Sequence, residues 1–412
     1  MLRIPISAAR TLALVKQGLA QRRPAHDKEA ILQTVRRLGY IQVDTINVVA
    51  RSHYLTLLSR HGLYQREDLD DLLYNADDRR LFEYWGHAAS ILPLEDYRYY
   101  LARMAWHRDI GSSWDRKWRQ ENQPVVADVL AEVRRRGALG SRDFADPRDE
   151  RGTWWDWKPA KRALDHLWSV GDLMVRRRVN FQKIYDLTER VLPEWVDRTP
   201  PSAEENRRYF VLRAIGAMGV VFRPGTAALY FTLRRQNRAV GALIQVLLDE
   251  GALSAVEVEE GLTEPGVVLS EDLPLLERIV AGDIVPERTT FLSPFDNLIW
   301  DRQLLEQLWE FEYSLEAYTP AAKRRWGYFC LPILRRGALI GRVDPKMDRQ
   351  SGTMIFRAFY LEDGVSLDDA LLGDLAEATR ELMAFHHARA LSIERSQPAE
   401  LAMVLAARVE TS

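Results

Sequence analysis

Apolar positions recur at helical spacing through residues 6–20 (Ile6, Ala9, Leu12, Ala13, Leu19) and 28–38 (Ala30, Ile31, Val35, Leu38), with a loop at 22–24 between them. The pattern then changes. Residues 40–44 read as a short extended segment, 48–58 as a helix, and 81–92 as a strand-like run that ends at Pro93. Helices followed by a strand or two are the order of a winged helix-turn-helix unit. The next stretch repeats that order more fully. A helix over 125–136 is closed by Gly137, Ser141 caps a short helix through Phe144, and Pro159 sits in the first turn of a helix over 160–170. Strands over 173–178 and 182–187 follow, around a turn at 179–181.

Residues 193–201 read as a linker, and a third unit spans 203–268: helices over 204–217, 226–234 and 241–249, then a hairpin around Gly261. From Thr290 the texture is β-rich, with runs at 328–334, 338–343 and 353–361, and residues 367–390 form an amphipathic helix. The predicted fold class is therefore α+β. Tandem winged-helix units are followed by a small antiparallel, barrel-like domain and a C-terminal helix. The expected divisions are 1–115, 116–198, 199–288 and 289–412.

Composition is that of a globular chain: 412 residues, 47% hydrophobic and 28% charged. The single cysteine, Cys330, leaves no internal disulfide and no Cys-rich metal site. The N-terminal apolar run is broken by Arg10 and Lys16 and reads as neither signal peptide nor membrane anchor. A cytoplasmic, nucleoid-associated monomer that needs no cofactor and no metal is the expectation.

Net charge is −2, which by itself argues against a polyanion partner. Its distribution argues otherwise. Residues 158–190 hold eight basic and four acidic side chains, a surplus of +4, and residues 323–349 hold eight and two, a surplus of +6. Residues 240–287 carry eleven carboxylates against Arg278 alone, or −10. Such sign asymmetry suggests DNA on one face, with solvated charge on unrelated surfaces as the alternative.

No phosphate-cradling loop, dinucleotide fingerprint, nucleophile elbow or HExxH motif occurs, and His386 and His387 are adjacent and so diverge on a helix. The informative segment is IQVDTINVVARSHYL, residues 41–55. If 41–44 is extended, period-two alternation places Gln42 and Asp44 on one face. A carboxylate and a carboxamide on one cleft can hold a water, the ionised Asp accepting its proton while the Gln orients it. The alternatives are that Asp44 caps the following helix and Gln42 is a surface residue.

This segment, together with LFEYWGHAASILP, WWDWKPAKRALDHLWSVGDLMV, LSPFDNLIWDR and KRRWGYFCLPIL, strongly resembles the YcaQ-like branch of the AlkZ/YcaQ family of winged-helix DNA glycosylases. The resemblance runs in order from about residue 5 to 390. The family signature is Gln, an aliphatic residue, then Gln or Asp; here Gln42, Val43 and Asp44 give the Asp form. The resemblance implies excision of N7-alkylated purines and unhooking of N7-linked interstrand crosslinks; the sequence shows no lyase nucleophile, so a monofunctional enzyme that leaves an abasic site is the expectation. An N7-alkylguanine is already cationic and leaves without much protonation. The barrier lies in positive charge developing on the deoxyribose, which a carboxylate beside the sugar stabilises while deprotonating the incoming water. Asp44 would do both, with Gln42 positioning the water.

Expected DNA contacts are Arg176, Arg177, Arg178 and Lys183 on the second wing and Lys323, Arg324 and Arg325 on the β-rich domain. Asn47, Arg51, Glu83, Trp85, His87, Asp296 and Trp300 are candidate borders of the active site. Glu83, Trp85 and His87 would alternate on one strand face; structural roles are the alternative for these and for Asp296 and Trp300. Trp154, Trp155 and Trp157, just before the candidate recognition helix, are expected to pack. The competing functional readings are a non-catalytic winged-helix transcriptional regulator and a hydrolase of another N-glycoside. The first would dimerise on two half-sites, and the second leaves several DNA-binding units without a purpose.

Overall fold

In the computed structural model, residues 2–21, 27–144, 158–231, 233, 236–259 and 264–410 are described. They pack as two compact units: Met1–Arg66 together with Phe210–Ser412, and Glu67–Tyr209. The loop at 22–24, Trp154, Trp155 and Trp157, and the turn at Gly261 lie outside the described residues.

In the first unit the helices Ile6–Gln17 and Lys28–Leu38 follow their apolar spacing. The second starts where the Asp27 side chain accepts the Ala30 N–H (2.9 Å) and stops at Gly39, whose φ of 76° lies in the left-handed region. The helix expected over 48–58 runs instead over Ser52–His61, because Arg51 is still extended (φ −71°, ψ 150°). Every residue of it except Tyr54 is buried. The strands Leu253–Val258 and Gly266–Leu269 pair antiparallel, and Leu2–Ile4 adds a parallel third strand with Leu2 opposite Val256.

This unit also holds further helices and a six-stranded sheet in the order Thr289–Phe291, Leu331–Arg335, Ala338–Asp348, Thr353–Leu361 and Ala390–Ile393, with Ser396–Gln397 also pairing on Thr353–Leu361. Register shifts between Ile333 and Leu334 and between Asp344 and Pro345 bend it, the second where proline has no N–H to offer the ladder. The Asp369–Phe385 helix, capped by Asp368 on the Leu371 N–H (2.7 Å), covers the sheet and stops short of residue 390. His387 turns into the left-handed region (φ 52°) and Ala390–Ile393 becomes a strand.

In the second unit the strand-like run at 81–92 is a hairpin, Leu81–Trp85 with Ala89–Pro93, whose turn is closed by Gly86 N–H to Ala88 C=O (2.8 Å). His87 therefore sits in a turn, not on a strand face with Glu83 and Trp85. The helices Gln123–Arg136 and Pro159–Ser169 pack against a three-stranded antiparallel sheet of Leu139–Gly140, Gln182–Leu187 and Leu173–Val179, burying Val133, Leu164, Leu167 and Trp168. Asn180 and Phe181 both have positive φ (50° and 66°), the backbone of a two-residue turn that matches strand twist. Phenylalanine is an unusual occupant of that region. Arg178 holds it there, its guanidinium 4.1 Å from the Phe181 ring centroid and donating to the Phe181 carbonyl (2.6 Å). The architecture as a whole is mixed α+β.

Candidate active site

Strand pairing ends at Gln42, the second residue of the short strand Ile41–Gln42. One side chain then takes over. Ser52 Oγ donates to the Gln42 carbonyl (2.7 Å) and accepts the Asp44 N–H (3.1 Å). A carbonyl and the N–H two residues on lie on one edge of extended backbone, so Ser52 does for Val43 what a neighbouring strand would. Asp44 then closes a turn, its Oδ1 accepting the Ile46 N–H (2.8 Å). The capping alternative is excluded, since the next helix begins at Ser52 with Arg51 in the cap position.

Three further residues fix the segment 45–49. Arg51 donates to the Thr45 carbonyl (2.9 Å), Met347 N–H to the Val48 carbonyl (3.0 Å), and Arg349 to the Val49 carbonyl (2.6 Å) and to Asn47 Oδ1 (3.2 Å). The candidate border residues Asn47 and Arg51 thus support the loop that carries Asp44. The serine, Met347 and Arg349 were not legible from spacing: a serine at a helix start reads as a cap, and the other two act from nearly three hundred residues away.

The helix that presents Ser52 is anchored at its other end. Arg60, 1% exposed, forms a two-pronged ion pair with Asp296 (2.7 and 3.0 Å) and donates to the Gln17 carbonyl (2.8 Å). Arg288 reaches the Ser59 and Leu58 carbonyls (3.0 and 3.2 Å) at the helix C-terminus, where cationic donors are favoured. Asp296, with no exposed surface, also accepts the Leu298 N–H (3.0 Å). It fixes the scaffold and borders no cleft, which corrects its candidate role. Trp300 packs on Tyr230 (5.7 Å between centroids).

Asp44 and Gln42 are both half-buried. Among the described residues no other side chain hydrogen-bonds to the Gln42 carboxamide or to the Asp44 carboxylate, which takes only backbone N–H groups. Burial pushes the Asp44 carboxyl above its ordinary 3.8, against the opposing hydrogen bonds of Ile46 and Thr45 and the charge of Arg51. A partly desolvated carboxylate anchored by backbone N–H groups and tied to no side chain can accept a proton from water and can stabilise nearby positive charge.

The second unit holds the other candidates. Glu83 is buried and receives two hydrogen bonds from Arg178 (2.8 and 2.5 Å) and one from Tyr74 (2.7 Å). Burial raises its pKa, yet the charge and bonds of Arg178 bring the net shift below the usual range. Trp85 donates to Ser169 Oγ (3.0 Å). Arg178, locked between Glu83 and Phe181, is not available to a phosphate, a correction to its expected role. Lys183 lies 3.3 Å from the Trp168 ring centroid on the wall of a cavity of about 690 Å³, and burial lowers its pKa to about 8.

Ion pairs take up part of the regional surpluses. Lys161 pairs with Asp165 and Arg190 with Asp186, Arg335 and Arg336 share Asp374, and buried Arg342 pairs with Glu362. Arg324 lies over Tyr328 and donates to the Glu316 and Thr319 carbonyls, and Arg325 is 3.9 Å from Glu312. Arg177 and Lys323 are exposed and form no ion pair among the described residues, as is also true of half-buried Arg176. Among the described residues no helix is long and apolar enough to cross a membrane, and no cluster of metal-ligating side chains occurs.

The fold is similar to that of the Streptomyces sahachiroi DNA glycosylase AlkZ, with a TM-score of 0.65 at 16% sequence identity, covering 96% of this chain and 100% of that one. A family model described as DNA glycosylase AlkZ-like matches residues 35–385, a span that includes Gln42, Asp44, Ser52, Arg60, Asp296 and Arg349. The chain belongs to the AlkZ-like DNA glycosylase family.

Proposed function

We propose that this protein hydrolyses the N-glycosidic bond of N7-alkylated purines in double-stranded DNA, unhooks N7-linked interstrand crosslinks and leaves an abasic site, as a monofunctional monomer of the YcaQ-like branch. The observation that carries the reading is the state of Asp44: its pKa raised by burial, its carboxylate held by backbone N–H groups and by no side chain, two residues from the Gln42 carboxamide. In this reading Asp44 stabilises the developing oxocarbenium charge and takes the proton of a water oriented by Gln42. A base still tethered to the opposite strand cannot enter a tight pocket, so crosslink repair calls for a lesion only partly displaced.

The division into 1–115, 116–198, 199–288 and 289–412, with winged helices in the first three, belongs to the same reading. Its support is element order: helix Gln123–Arg136, strand Leu139–Gly140, a 3₁₀ turn, helix Pro159–Ser169 and a hairpin in the second, and helices Ala203–Met218, Pro224–Tyr230 and Asn237–Asp249 before two strands in the third.

Incubation with duplex DNA containing N7-methylguanine, followed by alkaline cleavage at abasic sites, tests the activity. Strand breaks at the adduct are expected. Their absence across several N7 adducts, with binding intact, would replace the enzyme by a DNA-binding regulator. The rate should fall on the acid side as Asp44 takes up a proton, with a midpoint above the ordinary aspartate value because burial raises it. A pH–rate profile flat through that region would remove Asp44 from the mechanism. Arg177→Ala and Lys323→Ala should each weaken DNA binding regardless of sequence and reduce the salt dependence by about one counterion. Unchanged titrations in both variants would move the contact surface elsewhere.

A further inference from the structure

The loop between residues 310 and 331 carries Tyr318, whose 79% exposure is the highest of the large hydrophobic side chains among the described residues. Its backbone is the opposite of loose. The Glu316 carboxylate accepts the N–H groups of Arg325, Trp326 and Gly327 (2.9, 2.8 and 3.1 Å), and the Glu316 carbonyl accepts that of Thr319 (2.9 Å). Arg324 ties the Thr319 carbonyl (2.8 Å) to the same knot. The backbone that carries the ring is thus held, while the ring itself is largely exposed. Single exposed aromatics are ordinary, but this one stands on a stiffened turn beside exposed Lys323, which forms no ion pair among the described residues and is suited to a phosphate.

The turn and the Asp44 loop hang from one strand. Tyr328 and Phe329 donate to the Asp344 carboxylate (3.0 Å each), and Met347 on the same strand donates to Val48. Three strand residues span about 10 Å. Burial first, and then the charge of Asp44, raise the Tyr318 phenol above its ordinary range, so it stays neutral and the Asp44 field reaches it.

We propose that Tyr318 stacks on a nucleobase unstacked from the duplex beside Asp44, and so opens the lesion site; this rests on the reading of Asp44 given above. A flat neutral ring beside the Lys323 ammonium fits a base face and its phosphate, and wedge insertion between base steps is how a side chain keeps a lesion partly displaced. Tyr318 touches substrate in this view but takes no part in bond cleavage.

The test compares Tyr318→Ala and Tyr318→Phe on N7-methylguanine in two duplexes, one fully paired and one with an abasic analogue opposite the lesion, where the base is already loosened. Tyr318→Ala should lose about 10- to 100-fold in release from the paired duplex, the range for one stacking contact, and far less from the loosened one. Tyr318→Phe should stay within about threefold of wild type on both, since only the ring matters. Equal losses on the two substrates, a phenylalanine variant as impaired as the alanine one, or an alanine variant with full activity would each overturn the proposal.

Permanganate oxidation of thymines flanking the lesion reads unstacking without catalysis, and separates this proposal from the one it rests on. In the Asp44→Asn background the bound duplex should show a reactive thymine that Tyr318→Ala removes. If that thymine appears and vanishes as stated while wild type releases no base, the glycosylase reading fails and the stacking role stands. If no thymine responds, the stacking role fails.

Discussion

Asp44→Asn should reduce release of N7-methylguanine from duplex DNA by on the order of 10³-fold or more, the combined range for losing a general base and an electrostatic stabiliser of the transition state. DNA binding should persist, since asparagine keeps the shape and its Oδ1 can still accept the Ile46 N–H. The same variant should melt no lower than wild type at neutral pH. The fold raises the Asp44 pKa, so it disfavours the ionised form, and the contribution of Asp44 to stability worsens as pH rises through its unfolded and then its folded value. Removing the charge removes that burden, and the difference between the two proteins should shrink as pH falls toward the ordinary 3.8. A protein inactive yet at least as stable is the signature of a group kept for chemistry. An Asn variant with wild-type release, measured by abasic-site cleavage, would remove the carboxylate from the reaction.

The second large effect is on stability. Asp296→Ala should cost about 3–5 kcal/mol, because it leaves the Arg60 guanidinium, 1% exposed, charged and without its carboxylate. For a unit of this size that lowers the melting temperature by roughly 10 °C. The double variant Arg60→Met with Asp296→Leu should recover much of the loss, since a buried ion pair contributes little net stability over apolar packing. If the single variant melts within about 2 °C of wild type, the pair does not anchor the helix that presents Ser52.

These two residues mark how far the sequence could be read. Asp44 is singled out through the family resemblance of its segment, since spacing alone leaves a helix cap as the alternative. Asp296 was misplaced because its motif says nothing of burial, and a charge in a loop is exposed unless a partner such as Arg60 waits inside. Elements with local causes were readable: the Lys28–Leu38 helix has its own cap and stop, and the Leu173–Val179 and Gln182–Leu187 hairpin its own turn. Elements decided at a distance were not. The strand expected at 328 begins at Leu331 because the Asp344 carboxylate takes the Tyr328 and Phe329 N–H groups out of the ladder. The pairing of Leu2–Ile4 with Val256–Val258 leaves no periodic trace at all.

The basic surpluses misled for the same reason. Counting charges along a chain treats each as free, whereas Arg178, Arg335, Arg336 and Arg342 are neutralised within their own units. Arg176, Arg177, Lys323 and the aromatic Tyr318 are left as a smaller and more specific set.

The ties that hold the Asp44 loop also fix when it can form. Asn47 and Arg349 are 302 residues apart in the chain. At about 5–20 residues per second, a ribosome that has made Asp44 needs roughly 15–60 s more to supply its last support. Glu67–Tyr209 emerges whole in the meantime, while Met1–Arg66 waits for the residues from Phe210 onward. A truncated translation product can therefore hold a complete second unit beside an unformed Asp44 loop.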